Sequence, residues 1–435
     1  MSTKVITMKI KKIEFNNFRS FKHLEVGFGD RLNVFVGVNG AGKTSILDSL
    51  AILFSRLIGR IRSSHGTGRF FSEKDIRIST SEMVNNITLV QNNQEVNWTV
   101  TKSKKGRKKQ TISNIVQVRE MAEFIQEKLE NDENASLPIA VYYSVNRAVL
   151  DIPLRIRSKH QIGQLEAYDQ ALTGARNDFR LFFEWFRNRE DIENEQRLNP
   201  VENIKTRQTG KRRDLEYRDP QLQAVREAIQ NLTGFSNLRV GRNPLRMEVR
   251  KGEQHLNVGQ LSDGEKCLLA LAGDLARRLA IANPALSNPL EGVGVVLIDE
   301  VELHLHPEWQ HRIIPKLLDT FSKCQFVITT HSPLVLSHVR CENIWCLSQK
   351  NNETIAVQPE GTYGQDSNFL LKTLFGSSYR PEGIDLDIQK LFELIRDDRK
   401  AARQLLDELK NTVEGASPEL VRAEALLHRR EVIGK

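Results

Sequence analysis

Cysteine is scarce in this chain. Cys267, Cys324, Cys341 and Cys346 are the four in 435 residues, and none forms a C-x-x-C pair. That spacing argues against a disulfide framework and a zinc ribbon, and free thiols fit the cytoplasm. Long apolar runs are missing too. The longest, Val293–Ile298, is far shorter than the roughly 20 residues of a membrane helix. The opening MSTKVITMKIKK has no apolar core of the kind a secretory leader needs, so none is expected. There is no fixed-period repeat and no sustained heptad pattern, which excludes a solenoid and a long coiled-coil arm.

What is present is a globular composition with a basic balance. Hydrophobic residues make up 39% and charged residues 27%, enough for a sizeable core, and the length exceeds one ordinary domain. Lys and Arg number 63 against 55 Asp and Glu, a net charge of +8. Much of the excess sits in KSKKGRKKQ (Lys102–Gln110) and KTRQTGKRR (Lys205–Arg213). Loops 102–109 and 205–213 are therefore candidate DNA contacts. They would touch the phosphate backbone only, since no RNP motif, zinc finger or recognition helix accompanies them. A charge run alone is as often a solvated surface.

Along the chain, apolar residues alternate at Ile10, Ile13 and Phe15, then at Leu24, Val26 and Phe28, which predicts a hairpin turning at NFRSFKH. A buried strand, RLNVFVG, leads through a Gly-rich loop into a helix, ILDSLAILFSRLIGRI. Further strands are expected at NNITLVQ, EVNWTVTK, LPIAVYYS, NLRVGR, LRMEVRK, GVVLIDE, QFVITTHSP and ENIWCLSQ. Helices are expected through the aromatic 161–190 region, over QLQAVREAIQNL, from Ser262 to Ala282 and from about Ile388 onward. This order predicts an α/β fold with a mixed core sheet flanked by helices and an N-terminal antiparallel β layer. Four segments are expected: an N-terminal lobe over 1–150, a helical insertion and basic linker over 151–234, a C-terminal lobe over 235–350, and a helical region over 351–435. The last carries Leu391, Phe392, Leu394, Ile395, Leu405, Leu406 and Leu409 at helical spacing. It reads either as a docking element or as a cap on the main core.

Three strand ends carry chemistry. GVNGAGKTS fits G-x-x-x-x-G-K-[ST] with Gly37, Gly42, Lys43 and Thr44. Gly37, Asn39, Gly40 and Gly42 let backbone N–H groups wrap a phosphate, with a helix N-terminus and Ser45 beneath it. Lys43 would reach the β and γ oxygens of ATP, and the Thr44 hydroxyl would meet Mg²⁺. VVLIDE ends a core strand in two acids. Asp299 is expensive to bury without a cation and is the candidate metal partner. Glu300, one residue on, is placed to polarise an attacking water. VITTHSP brings His331 to the carboxyl edge of the sheet, where ligands gather, as a γ-phosphate sensor. A fourth stretch, LSDGE, is a helix start in which Ser262 and Glu265 have capping-box spacing around Gly264. ELHLHPEWQ invites a metal reading, but Glu302, His304 and His306 are spaced by two in a loop, unlike helical ligand sets.

A P-loop, then LSDGE, LIDE and TTHSP, in that order, resembles the ABC-type ATPase heads of transporters, SMC-like and RecF-like proteins. NFRSF and DEVELHLHP resemble the RecF/OLD branch. VYYSVNR, DFRLFFEWFRNREDIEN, YGQDSN, YRPEG and ELVRAEALLHRREVIGK extend the likeness to Septu-type, PtuA-like anti-phage defence ATPases over nearly the whole chain. The resemblance implies an ATPase with ATP and Mg²⁺ as cofactors, acting as a homodimer or higher homo-oligomer in the cytoplasm, without a membrane partner. It implies that Ser262, Gly264 and Glu265 meet the γ-phosphate held by Lys43 of a second subunit, in a head-to-tail sandwich. It also implies a separately encoded HNH-type nuclease that acts on DNA. The alternatives are a RecF-like repair ATPase that clamps DNA and an ATP subunit for a permease. Two features depart from the transporter pattern. The signature reads LSDGE rather than LSGGQ, and only Gln161 and Gln164 are candidates for a glutamine lid. No Toprim-like acidic set follows the His motif, and no nuclease signature is visible in the chain itself.

Overall fold

The computed structural model describes residues 6–107, 111–132, 134–147, 163–174, 179–198, 217–350, 353–377, 380–415 and 417–433. The chain divides into two units, Met1–Gly364 and Gln365–Lys435.

In the first unit, β1 (Lys9–Phe18) and β2 (Phe21–Gly27) form the expected hairpin, closed by Arg19 and Ser20 with Phe18 opposite Phe21. β4 (Glu82–Gln91) and β5 (Gln94–Ser103) form a second one around Asn92 and Asn93, both in left-handed backbone. These strands make an antiparallel layer in the order β2-β1-β4-β5. Its alternating inward residues, among them Ile13, Phe15, Leu24 and Ile87, are buried, as period-two patterning requires.

The core sheet uses β3 (Leu32–Gly37), β6 (Ile139–Tyr143), β10 (Gly294–Ile298), β11 (Cys324–Thr329), β12 (Ile344–Lys350) and β13 (Glu353–Val357). The order is β13-β12-β3-β11-β10-β6, parallel except for β13 at one edge. Every residue of β3, β6, β10 and β11 is buried. That is why these strands read as apolar runs rather than as alternation: a parallel sheet is covered on both faces. β13 carries the head past the boundary expected at 351, so the division falls after Gly364.

Helices α1 (Lys43–Arg62), α2 (Val116–Asn131), α3 (Phe179–Leu198), α4 (Pro220–Thr233), α5 (Asp263–Ala282), α6 (Pro307–Thr320) and α7 (Pro333–Leu336) complete the unit. A small antiparallel sheet, β7 (Ser236–Arg242), β8 (Leu245–Lys251) and β9 (Gln254–Asn257), precedes α5. β9 is too short and polar to have signalled itself. α5 is buried from Cys267 to Ala282. The aromatic insertion explains part of that: Phe182 of α3 lies so close to Gly273 that a Cβ there would stand 2.8 Å from its ring. The helix expected through 161–190 is a short turn, Gln164–Tyr168, and then α3 from Phe179.

The second unit holds α8 (Ser367–Phe375), α9 (Glu382–Asp397), α10 (Arg399–Thr412) and α11 (Pro418–Ile433). α9, α10 and α11 bury a core of their own, from Ile388, Leu391, Ile395, Leu406, Leu409, Leu420 and Leu427. Each fully buried Leu contributes about 1.5–3 kcal/mol, so the apolar stripe read in the sequence is consumed largely within this unit. Phe392, Leu394 and Leu405 sit partly buried at its margin. Among the described residues no helix is long and apolar enough to cross a membrane.

Candidate nucleotide site

Strand order decides where the chemistry meets. β3, β11 and β10 are neighbours in the sheet, and all run parallel. Their carboxyl ends therefore bring the P-loop, His331 and the Asp299–Glu300 pair to one edge, as ligand sites in open α/β sheets require. An open cleft of about 350 Å³ results, lined by Asn39, Gly40, Gly42, Lys43, Thr44, Ser45, Asp299, Glu300 and His331.

The loop conformation depends on glycine at one point above all. Gly42 stands at φ +100, and a Cβ there would meet the Phe21 ring at 2.5 Å. α1 begins directly after it. No side chain caps this helix and no acid stands in its first turn, so its first N–H groups and positive dipole end face the cleft, which suits an anion. Lys43 Nζ donates to the carbonyls of Gly37 at 2.8 Å and Val38 at 3.2 Å. Burial lowers its pKa, and Asp299, Glu300 and Glu302 oppose that shift.

Asp299 is 1% exposed. Its Oδ1 accepts from the Thr44 hydroxyl at 3.2 Å and the Thr329 hydroxyl at 2.5 Å. Its Oδ2 is buried and has no hydrogen-bond partner among the described residues. An ionised oxygen left so is costly unless a cation completes it, and Thr44 stands beside it. This donor set fits Mg²⁺, which is commonly held by one or two protein groups together with substrate phosphates. No cluster of three or more His, Cys, Asp or Glu suits a metal among the described residues. That includes ELHLHPEWQ, where His306 instead caps α6 by accepting from the Glu308 N–H.

Glu300 lines the same cleft, in a left-handed backbone at φ +45. Its N–H donates to Thr329 Oγ1 at 2.8 Å. The His331 N–H donates to Glu302 Oε1 at 2.5 Å. Burial lowers the His331 pKa and the Lys43 cation lowers it further, against Glu302, Glu300 and Asp299. An imidazole in its neutral form can accept a proton or donate one hydrogen bond.

Ser262 lies elsewhere. It caps α5: its Oγ accepts from the Glu265 N–H at 3.4 Å, and its own N–H donates to Glu265 Oε2 at 2.9 Å. Lys251 Nζ donates to Glu265 Oε1 at 2.6 Å. Burial alone would raise the Glu265 carboxyl, but Lys251 and the Ser262 N–H and hydroxyl outweigh it and hold it below the ordinary value. Gly264 packs directly on the loop before α6, and a Cβ would meet the His304 carbonyl at 2.2 Å. Ser262, Gly264 and Glu265 line a second open cleft, of about 630 Å³, with Leu305 and Trp309. It shares no lining residue with the P-loop cleft.

Some site residues escaped the sequence reading. Arg19 and Ser20 form part of the P-loop cleft. Arg19 donates to Ser45 Oγ at 3.2 Å and to Asp48 Oδ2 at 2.8 Å. Thr329 holds Asp299 and Glu300, as described. The motifs NFRSF and VITTHSP contained both signals, but nothing local says which of their residues point at the site. The Gln164 amide donates to the carbonyls of Ala135 and Ala282, and Gln164 is not among the residues lining the P-loop cleft. Gln161, residues 108–109 and the basic stretch 205–213 lie outside the described residues.

Comparison with known proteins gives the chain a family. Residues 32–337 match the family model described as "AAA domain, putative AbiEii toxin, Type IV TA system". The chain is 32% identical to the "Retron Ec83 probable ATPase" of Escherichia coli, over 86% of this chain and 77% of that one. It is 29% identical to the "Retron Vc95 probable ATPase" of Vibrio cholerae, over 93% and 87%. It is 22% identical to the Septu protein PtuA of Bacillus thuringiensis, over 82% and 80%. With a P-loop, an acid pair and a histidine assembled on one sheet edge, this chain belongs to that AAA family and is an ATPase related to the retron and Septu proteins.

Proposed function

We propose that the chain is the ATP-driven switch subunit of a bacterial anti-phage defence complex. Two copies close head to tail around ATP, and closure controls a separately encoded HNH-type nuclease acting on DNA. The separation of the two clefts carries this reading. One chain offers a P-loop without the signature serine, and a signature serine without the P-loop. A second copy in two-fold, isologous contact supplies each with its complement, twice per dimer. Thr44 and Asp299 would hold Mg²⁺, which supplies charge neutralisation to the phosphates. Lys43 and the α1 N-terminus bind the phosphates, Glu300 orients and polarises water, and His331 donates to the γ-phosphate. The α5 N-terminus keeps its cap from Glu265 while it offers its dipole across the interface.

Mixing variants tests the sandwich. Ser262→Arg places a bulky cation in the signature cleft. If Ser262 only capped α5, the change would cost about 1 kcal/mol of stability and leave hydrolysis alone. The expected result is a large loss of hydrolysis with ATP affinity retained. Ser262→Arg subunits mixed with Lys43→Ala subunits place both lesions at one composite site and leave the other intact. Phosphate release should partly recover; absence of recovery despite demonstrated subunit exchange would mean that each subunit uses its own Ser262 or that both sites must fire together.

The helical unit 365–435 is the proposed nuclease-docking element. Support comes from its self-contained core and from Leu386 and Val421, which stay exposed outside it. Deleting 365–435 should leave ATP binding intact and abolish co-purification of the nuclease. An insoluble head after deletion would point to a structural cap instead. DNA contact is proposed at loop 102–109, of which Lys104, Lys105 and Arg107 follow β5, and at 205–213. Contacts of this kind weaken steeply with salt.

A further inference from the structure

The turn that carries Asp299 and Glu300 is held from two sides. On the amide side stands Thr329, which accepts from the Glu300 N–H at 2.8 Å and donates to Asp299 Oδ1. On the carbonyl side stands Arg147, at the end of the short turn Val145–Arg147 that follows β6. Nη1 of Arg147 donates to the Asp299 carbonyl and, at 3.3 Å, to the Ser144 carbonyl. Nη2 donates to the Glu300 carbonyl. Arg147 is 5% exposed. Burial lowers its pKa, opposed by Cys267 of α5 and by Asp299, Glu302 and Glu300. The guanidinium therefore stands behind the acid pair and close to the helix that begins at Ser262. Strand β6 reaches the same helix through the Tyr143 hydroxyl, which donates to Asp274 Oδ2 at 3.0 Å.

A fixed planar fork can meet two successive carbonyls at once, whereas an ammonium is a single point charge. That matters at Glu300. Its φ of +45 is a region that residues with a side chain rarely occupy, and such backbone persists only where its surroundings over-determine it. Thr329 and Arg147 supply that constraint on opposite sides of the peptide.

We propose that Arg147 is a positioning residue for hydrolysis: it clamps the carbonyls of Asp299 and Glu300 and so sets where the Glu300 carboxylate points. This rests on Glu300 being the group that polarises water. An arginine that merely filled the core would affect folding and nucleotide binding as much as turnover, so the test separates these.

Arg147→Lys keeps the charge and loses the fork. It should lower kcat about 100-fold, the scale of a small misplacement of a catalytic group. ATP affinity, measured in the same protein by equilibrium binding, should stay within about threefold. In a Glu300→Gln background the same change should alter the residual rate less than about twofold, because both act through one carboxylate. Arg147→Ala should regain turnover when guanidinium ion is added, and an equal concentration of ammonium should not restore it. A wild-type kcat in Arg147→Lys overturns the clamp, as does a loss of ATP affinity matching the loss of rate. A full additional loss in the Glu300→Gln background overturns it too. A wild-type rate in Glu300→Gln alone would instead sink the role of Glu300, whatever Arg147→Lys shows.

Discussion

Glu300→Gln is expected to slow phosphate release by roughly 10²–10⁴-fold, the range of a positioned general base, while ATP stays bound. The amide is nearly the shape of the carboxylate but cannot take the proton of an attacking water. The backbone at φ +45 is unchanged by this substitution, as are the Glu300 N–H bond to Thr329 and the carbonyl bond from Arg147. The binding elements, Lys43, the α1 N-terminus and Asp299, belong to other residues of the cleft. Steady-state phosphate release and nucleotide retained after rapid desalting give the two readouts. Turnover at the wild-type rate would remove Glu300 from the reaction.

Lys43→Ala should act on the other half of the cycle. Affinity for a labelled ATP analogue should fall about 100-fold or more, since charge-assisted bonds to phosphate contribute roughly 1.5–3 kcal/mol each. The folding cost is smaller. Lys43 donates to the Gly37 and Val38 carbonyls, and that loop borders an open cleft where water can replace the ammonium, so about 1 kcal/mol is at stake. Thermal unfolding checks that the fold survives. Unchanged affinity in a folded variant would exclude the P-loop as the nucleotide site.

Both experiments rest on features that were legible to different degrees before the structure. The P-loop is local. Its strand, loop and helix are consecutive, so its glycine spacing shows in the sequence, although the ring that excludes a Cβ at Gly42 comes from Phe21. The capping pair Ser262–Glu265 is local in the same way, because one helical turn fixes which residues meet. The buried strands announced themselves by composition, since a two-sided apolar environment tolerates little else. The second unit shows where such reasoning stops. The spacing of Leu391, Ile395, Leu406 and Leu409 marked helices with an apolar face. It did not say what that face packs against, and within the second unit α9, α10 and α11 bury it among themselves.

What the residue order determined by itself is each element that closes within a few residues, and the chemical type of each strand end: phosphate loop, acid pair, histidine. Tertiary structure alone decided which ends meet and what holds them. β11 lies between β3 and β10, although it follows both in the chain. That interleaving brings Thr329 to Asp299 across 30 residues, and the pairing of β6 with β10 brings Arg147 to the Asp299 carbonyl across 152. It also leaves Ser262 in a separate cleft. Hydrogen bonds and side-chain periodicity encode neighbours along one helix or strand. Contacts between strands depend on the order in which crossovers lay them down, and that order is set by burial summed over the whole sheet rather than by any one segment.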